Sequence, residues 1–386
     1  MIRHSIRIQC KSLALVLFLA ILWGTARPQT VPPVKPATPP TQPVPPPPQG
    51  TSPAPTVKPS PSPAKPPVDP DDLTPPEKNN STAGGESKKW QWTSVDSAFG
   101  PLPASVHIYR TQDSLEGRPS IAYYVSAPLK DKSLLFTTQI GYGQRLTPAR
   151  YYQQEQNPLL VINTSFFSFK TNGNLNVVVK DGKMVAWNQP SRRMKGLSLY
   201  QYTTRSALGI SAKRKVDVAW IFTDSTQPWP YAFEDAPVIA QGGDSIPGIS
   251  ALNNSHWRRW KMQTVVGGGP VLVHNGKIRV TNEEEGLFTK GEKDLHPRSA
   301  IGYTRDGHII VLAVQGRTPH LAAGVTLAQE AKILLDLGCY EAINLDGGGS
   351  SCLLVNGKET IHPSDKEGER PVPSVFLIKT LSGQVD

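Results

Sequence analysis

The stretch TLAQEAKILLDLGCYEAINLDGGGSS, Thr326 to Ser351, encodes a helix, a strand and a turn in direct succession. Thr326 and Gln329 have the spacing of a capping box, in which a threonine hydroxyl and a glutamine amide satisfy each other's free backbone donors. Leu327, Ala331, Leu334 and Leu335 fall on one face, Lys332 and Asp336 on the other, and Gly338 stops the helix. The next strand runs through Ala342, Ile343 and Leu345 and ends in one carboxylate, Asp346. Gly347, Gly348 and Gly349 follow, then Ser350 and Ser351. Glycines leave the main chain open to close approach. An acid beside such a donor-rich turn is suited to hold an anion and to do chemistry next to it.

Outward from this stretch the pattern is rich in strands. Val106 to Arg110, Ser120 to Ser126, Leu134 to Ile140, Leu159 to Asn163 and Val216 to Phe222 alternate or run apolar. Four hairpins are predicted, turning at Asp181-Gly182, Asn275-Gly276, Asp306-Gly307 and Asn356-Gly357. Thr147 to Gln154 reads as a short helix, and Val372 to Ile378 as a last strand. The expected class is α+β: a strand-rich mixed sheet with a few packed helices; residues 90–386 are long enough for one large domain or two small ones and are read as a single domain.

The first 26 residues read as an export signal. Arg3, Arg7 and Lys11 precede 11 apolar residues, Leu13 to Trp23, and Gly24-Thr25-Ala26 offers a small-residue cleavage site. The apolar run is short of the ~20 residues a membrane-spanning helix needs, so no stable membrane span is expected. The implied location is secreted or periplasmic, associated with the cell envelope. Residues 27–89 read as a disordered Pro-rich linker: 21 of the 38 prolines lie between Pro28 and Pro76, too little apolar content to bury a core. Extended, it would reach on the order of 150 Å.

Loss of the signal lowers the net charge from +10 to +7. That balance suits an anionic glycan, a phosphate-bearing polymer or a membrane surface, and equally a merely solubilising surface. No Lys/Arg stripe with interleaved aromatics supports nucleic acid as a partner. Cys339 and Cys352 either pair or remain two buried thiols, and two cysteines alone argue against a zinc knuckle. No His/Asp cluster has convincing ligand spacing, so neither metal nor other cofactor is expected.

Four more segments combine unusual residues. Asn163-Thr164-Ser165 ends a buried strand in an amide and hydroxyls. Gly267-Gly268-Gly269-Pro270 enters another strand, unless these glycines serve only close packing. His296-Pro297-Arg298 puts a guanidinium at a strand mouth, and Gln315-Gly316-Arg317 puts one at the end of the next strand. If the sheet aligns these ends, two arginines and an asparagine converge on Asp346. Arginine suits bidentate phosphate contact.

In this order and spacing the segments resemble the phosphodiester glycosidase family. Asn344 to Ser351 matches its most diagnostic motif, and Arg298 to Gly302 with Asp306-Gly307 resembles the preceding strand pair. Gly324 to Leu327, Gly269 to Gly276, Asn163 to Phe167, and Pro363-Ser364 with Arg370-Pro371-Val372 fit its other segments. The similarity covers roughly Leu159 to Ile378. Departures are Thr164 and Ser165, where the family has glycine or alanine, Gln315 in place of Asp, and Gln329 in place of Glu.

The resemblance implies an exported hydrolase that releases a sugar, of N-acetylglucosamine type, from a sugar-1-phosphodiester on a glycan or cell-envelope polymer. A phosphate monoester is a weakly basic leaving group, so one carboxylate can suffice where ordinary glycosidases need two. Asp346 is expected to act as nucleophile or general base, and Arg298 and Arg317 to hold phosphate. Gly347, Gly348, Gly349, Ser350 and Ser351 would orient oxygens, and Asn163 and Asn344 would bind sugar hydroxyls. The competing class is a non-catalytic module that binds phosphate-bearing surface polysaccharide, a reading that Gln315 keeps open.

Overall fold

A computed structural model describes residues 89–381, apart from 190, 194–199, 203, 237–240, 243–256, 289–290 and 292. The expected signal and nearly all of the expected linker lie outside the described residues. The architecture is the expected strand-rich α+β, with its strands divided among several sheets. Each described strand pair is antiparallel, the natural outcome of a chain built from hairpins.

The largest sheet has eight strands. Its middle runs, in spatial order, Ala122–Pro128, His308–Val314, Arg298–Thr304, Cys339–Asn344 and Val271–His274. The first helix, α1, is Pro148–Gln154, and the second, α2, is Leu327–Asp336 with the predicted capping box in place. Alternate residues of the sheet face opposite sides. Ala300, Leu312 and Ala342 pack under Leu327, Ala331 and Leu334 of α2. Ile301, Val311 and Ile343 face a larger core shared with Leu208 and Trp220 of a seven-stranded sheet and with Ile162 and Phe376 of a five-stranded one. Burial on both faces explains the continuous apolar runs of these strands, and each fully buried leucine or isoleucine stabilises by roughly 1.5–3 kcal/mol. Cys339 and Cys352 are both buried free thiols.

The connection through α2 positions the site. His308–Val314 and Cys339–Asn344 both pair antiparallel with Arg298–Thr304, one on each side. They therefore run in the same direction, and their C-terminal ends lie beside the N-terminal end of the strand between them. Arg298 is opposite Val314, and Ala300 opposite Asn344. One edge of the sheet thus gathers Arg298, the 315–317 turn and the Asp346 turn.

Candidate active site

The five-stranded sheet meets this edge through Leu160–Asn163, which lies between Leu353–Val355 and Ser374–Thr380. The Asp346 N–H donates to the Thr164 carbonyl at 2.8 Å, and Asn163 Nδ2 donates to the Asp346 carbonyl at 2.6 Å. The acid is therefore fixed by its backbone from below, and Leu345, fully buried, anchors the chain just before it. Burial pushes the Asp346 carboxyl up to about 7, opposed by a hydrogen bond from Ser350, the charge of Arg370 and the Gly347 N–H. It sits at the boundary between a carboxylate and an acid at neutral pH.

Three arginines crowd the glycine turn, one over each glycine. A Cβ on Gly347 would meet the Pro297 carbonyl at 2.9 Å, with the Arg298 stem behind it. On Gly348 it would lie 2.7 Å from Arg317 Nη2, and on Gly349 2.1 Å from Arg370 Nη2 and Asp365 Oδ1. Gly348 also has φ +62°, which disfavours a side chain. The Pro297 carbonyl thus restricts Gly347, the positive φ restricts Gly348, and the Arg370–Asp365 pair restricts Gly349. Arg370 is held by a two-pronged ion pair to Asp365 (2.7 and 2.9 Å) and reaches Ser350 Oγ at 3.4 Å. Arg317 is exposed and tethered only by a long contact to Ser364 Oγ, 3.4 Å.

Arg298 differs from the expectation. It is 3 % exposed, with Nε on the Val325 carbonyl at 3.1 Å and Nη2 on the Asp294 carbonyl at 3.2 Å. Burial works against its charge, while Glu330 and Asp294 support it. Glu330, on the buried face of α2, has no hydrogen-bond partner for either oxygen, and burial pushes it up to about 8 despite Arg298. This guanidinium ties a strand end to the entry of α2; it does not face a ligand.

Both asparagines expected to bind sugar hydroxyls are buried and donate to backbone carbonyls, while Asn344 Oδ1 has no partner among the described residues. Asn163 is fully buried; its Oδ1 accepts from Ser299 Oγ at 2.9 Å and from the Cys352 N–H at 3.1 Å. Asn344 is also fully buried and donates to the Gly269 carbonyl at 2.7 Å. The physical reason is position: both end strands that enter the sheet junction, so their amides stitch neighbouring segments. Several of the turn amides have partners within the protein. The Gly347 N–H is turned onto Asp346, the Gly348 N–H donates to the Pro297 carbonyl at 2.9 Å, and Ser350 and Ser351 close back on Gly347 and Gly348. Ser350 bridges Asp346 and Arg370, whereas Ser351 is buried with its hydroxyl unpartnered.

Gln315 is buried, and its Oε1 accepts from the His362 N–H at 2.9 Å. An aspartate at this position would offer the same kind of acceptor, so the substitution falls on a backbone tie. Gly267 and Gly268 serve close packing, since a Cβ on either would lie 2.4–2.5 Å from a backbone oxygen. Sequence reasoning assigned no role to Arg370 or Asp365. Their charge complementarity five residues apart, just before the last strand, was the available signal.

The chain belongs to the phosphodiester glycosidase family, whose pattern matches residues 156–379. N-acetylglucosamine-1-phosphodiester alpha-N-acetylglucosaminidase of Bos taurus is 34% identical over 103 residues, 24% of this chain and 19% of that protein. The SPbeta prophage-derived uncharacterized protein YomE of Bacillus subtilis is 41% identical over 70 residues, 18% of this chain and 11% of that protein. The chain thus spans no more than about a fifth of the length of these relatives. The catalytic domain of the zebrafish N-acetylglucosamine-1-phosphodiester alpha-N-acetylglucosaminidase, auto-inhibited by its pro-peptide, shares the fold. Its TM-score is 0.51 at 20% identity, covering 76% of this chain and 89% of that one.

Proposed function

We propose that this domain hydrolyses a sugar-1-phosphodiester, releasing a sugar of N-acetylglucosamine type from a phosphate-bearing glycan or envelope polymer outside the cytoplasm. The observation that carries this reading is the carboxyl of Asp346, poised near neutrality and set between Ser350, Arg370 and the turn over which Arg317 lies, while the neighbouring Asp365 is taken up by its ion pair with Arg370.

Arg317 and Arg370 are assigned to the phosphate. Arg317 has little else to bind, and Arg370 is pre-oriented by Asp365. Their charge stabilises the departing monoester, which leaves with the electron pair of the broken bond and needs no proton. Asp346, ionised, either takes a proton from the water that attacks the anomeric carbon, or attacks that carbon itself to form a glycosyl ester that water then cleaves, releasing the sugar and restoring the carboxylate. Arg298, Asn163 and Asn344 are assigned to positioning the two turns, and Ser350 to orienting the carboxyl.

The test is turnover of a panel of sugar-1-phosphodiesters followed by phosphorus NMR, with wild type against Asp346→Asn. Wild type should release monoester, and the variant should be slower by at least a thousandfold. Full turnover in the variant would remove Asp346 from the chemistry, and retention of a phosphate-bearing polymer without turnover would make the domain a binding module. Water labelled with ¹⁸O reports the bond broken, since the label enters the sugar if C–O cleaves and the phosphate if P–O cleaves.

A further inference from the structure

Tyr142 (71 %), Phe169 (65 %) and Trp187 (43 %) are large apolar side chains exposed on the described surface; Tyr142 and Trp187 share one cleft, and Phe169 lies against Arg145 and Arg370. Tyr142 and Trp187 border a cleft of about 320 Å³, floored by Gly173 and the amides Asn172 and Asn174. Among the described residues, none that lines it is Asp, Glu, Lys, Arg or His, so the described lining offers no cation to a phosphate. Large exposed aromatic rings grouped at a cleft are a common mark of a binding surface.

Two connections tie the cleft to the chemistry. Asn174 Oδ1 accepts from Ser374 Oγ at 2.6 Å, Ser374 Oγ contacts Thr164 Oγ1 at 2.8 Å, and the Thr164 carbonyl holds the Asp346 N–H. Along the surface, Asn172 Oδ1 accepts from Arg145 Nε at 2.8 Å. The Arg145 guanidinium stacks on Phe167 and Phe169, and Phe169 in turn carries the Arg370 guanidinium at 5.6 Å. Each asparagine has its carbonyl oxygen occupied by a protein donor, leaving its NH₂ for a ligand's oxygens. Thr164, a departure from the small residue of the family pattern, supplies the hydroxyl that fixes Ser374 and through it Asn174.

We infer that this cleft is a saccharide subsite, which takes an uncharged sugar unit of the phosphorylated glycan on the far side of the phosphate from Asp346. A pyranose ring offers an apolar C–H face and a rim of hydroxyl oxygens; the cleft offers two aromatic faces and two amide donors, on the scale of a small-molecule site. The inference rests on the hydrolase reading above for the location of the phosphate.

The test has a binding arm and a kinetic arm. In the first, the disaccharide of two N-acetylglucosamine units is titrated into the protein and Trp187 fluorescence is followed, with Trp187→Phe as the blank. Wild type should respond, and Tyr142→Ala should weaken Kd at least tenfold. In the second, kcat/KM is compared for a phosphodiester whose alcohol is a disaccharide and one whose alcohol is methanol. The ratio should fall at least tenfold in Tyr142→Ala and in Asn174→Ala. No response in wild type, equal affinity in Tyr142→Ala, or an unaltered ratio would overturn the inference. Turnover of the methyl phosphodiester without disaccharide binding would sink the subsite alone. Disaccharide binding without turnover of any phosphodiester would sink the hydrolase reading alone.

Discussion

Replacing Asp346 by asparagine should disarm the protein and stabilise it, and the second effect has a pH signature. In the unfolded chain the carboxyl titrates near its model value of 3.8; in the fold burial raises it to about 7. Between those values the folded state keeps a proton that the unfolded state has lost, so wild-type stability declines as pH rises from about 4 to about 7. A rise of about three pH units, at about 1.4 kcal/mol each, sets a ceiling of about 4 kcal/mol. Asp346 keeps some contact with solvent, and an asparagine puts an NH₂ where Arg370 expects charge, so about 2 kcal/mol is the realistic gain. For a domain of this size that is roughly 4 °C in Tm. Thermal melts of both proteins at pH 4.5 and pH 8 measure it. The variant should gain on the wild type by several degrees at pH 8 relative to pH 4.5, which cancels every other titrating group the two share. A Tm difference that does not change with pH would refute the claim that the carboxyl is held against its ionisation.

The same poise predicts that kcat/KM on a sugar-1-phosphodiester rises through about pH 7 as Asp346 ionises, a limb that a pH–rate profile would locate. Arg298→Ala should cost roughly 3 kcal/mol in thermal or urea unfolding, because it strands Glu330 and two backbone carbonyls, whereas Arg317→Ala should leave Tm nearly unmoved and raise KM for phosphodiesters at least tenfold. Gly349→Ala drives a methyl into the Arg370–Asp365 pair and should cut kcat/KM at least a hundredfold while circular dichroism stays native. Asn163→Ala breaks three buried hydrogen bonds and should cost roughly 3 kcal/mol in urea unfolding, with kcat falling more than KM changes.

Much of the frame was legible because local chemistry and tertiary structure agree. Thr326 and Gln329 form a capping box wherever the helix lies, and the Asp181-Gly182, Asn275-Gly276, Asp306-Gly307 and Asn356-Gly357 pairs turn hairpins in any context. The approach of Arg298, Arg317 and the Asp346 turn was legible as well, because strand ends joined by tight turns align. What a side chain faces was not. Asn163 and Arg298 look like ligand groups in one dimension, yet the strand junction swallows both, and only the arrangement of sheets decides that. Arg370 was missed for the converse reason: its partners Asp365 and Ser350 become neighbours only once Ser374–Thr380 has entered its sheet. Glu330 lies on a helix face that periodicity marks as apolar, and its burial beside Arg298 is a tertiary fact.

The strand Ser374–Thr380 occupies the slot between Leu134–Ile140 and Leu160–Asn163. Both neighbours are largely buried and far earlier in the chain, so during synthesis they wait with unpaired edges for a segment made more than 200 residues later. Such long-range pairing is slow and leaves strand edges open to wrong partners. Until it closes, the segment that holds Asp346 from below has no fixed place, and Arg370 is not delivered to Ser350. The closing strand thus completes the sheet against which the Asp346 turn is held, so shape at this edge depends on the last-made strand of the fold.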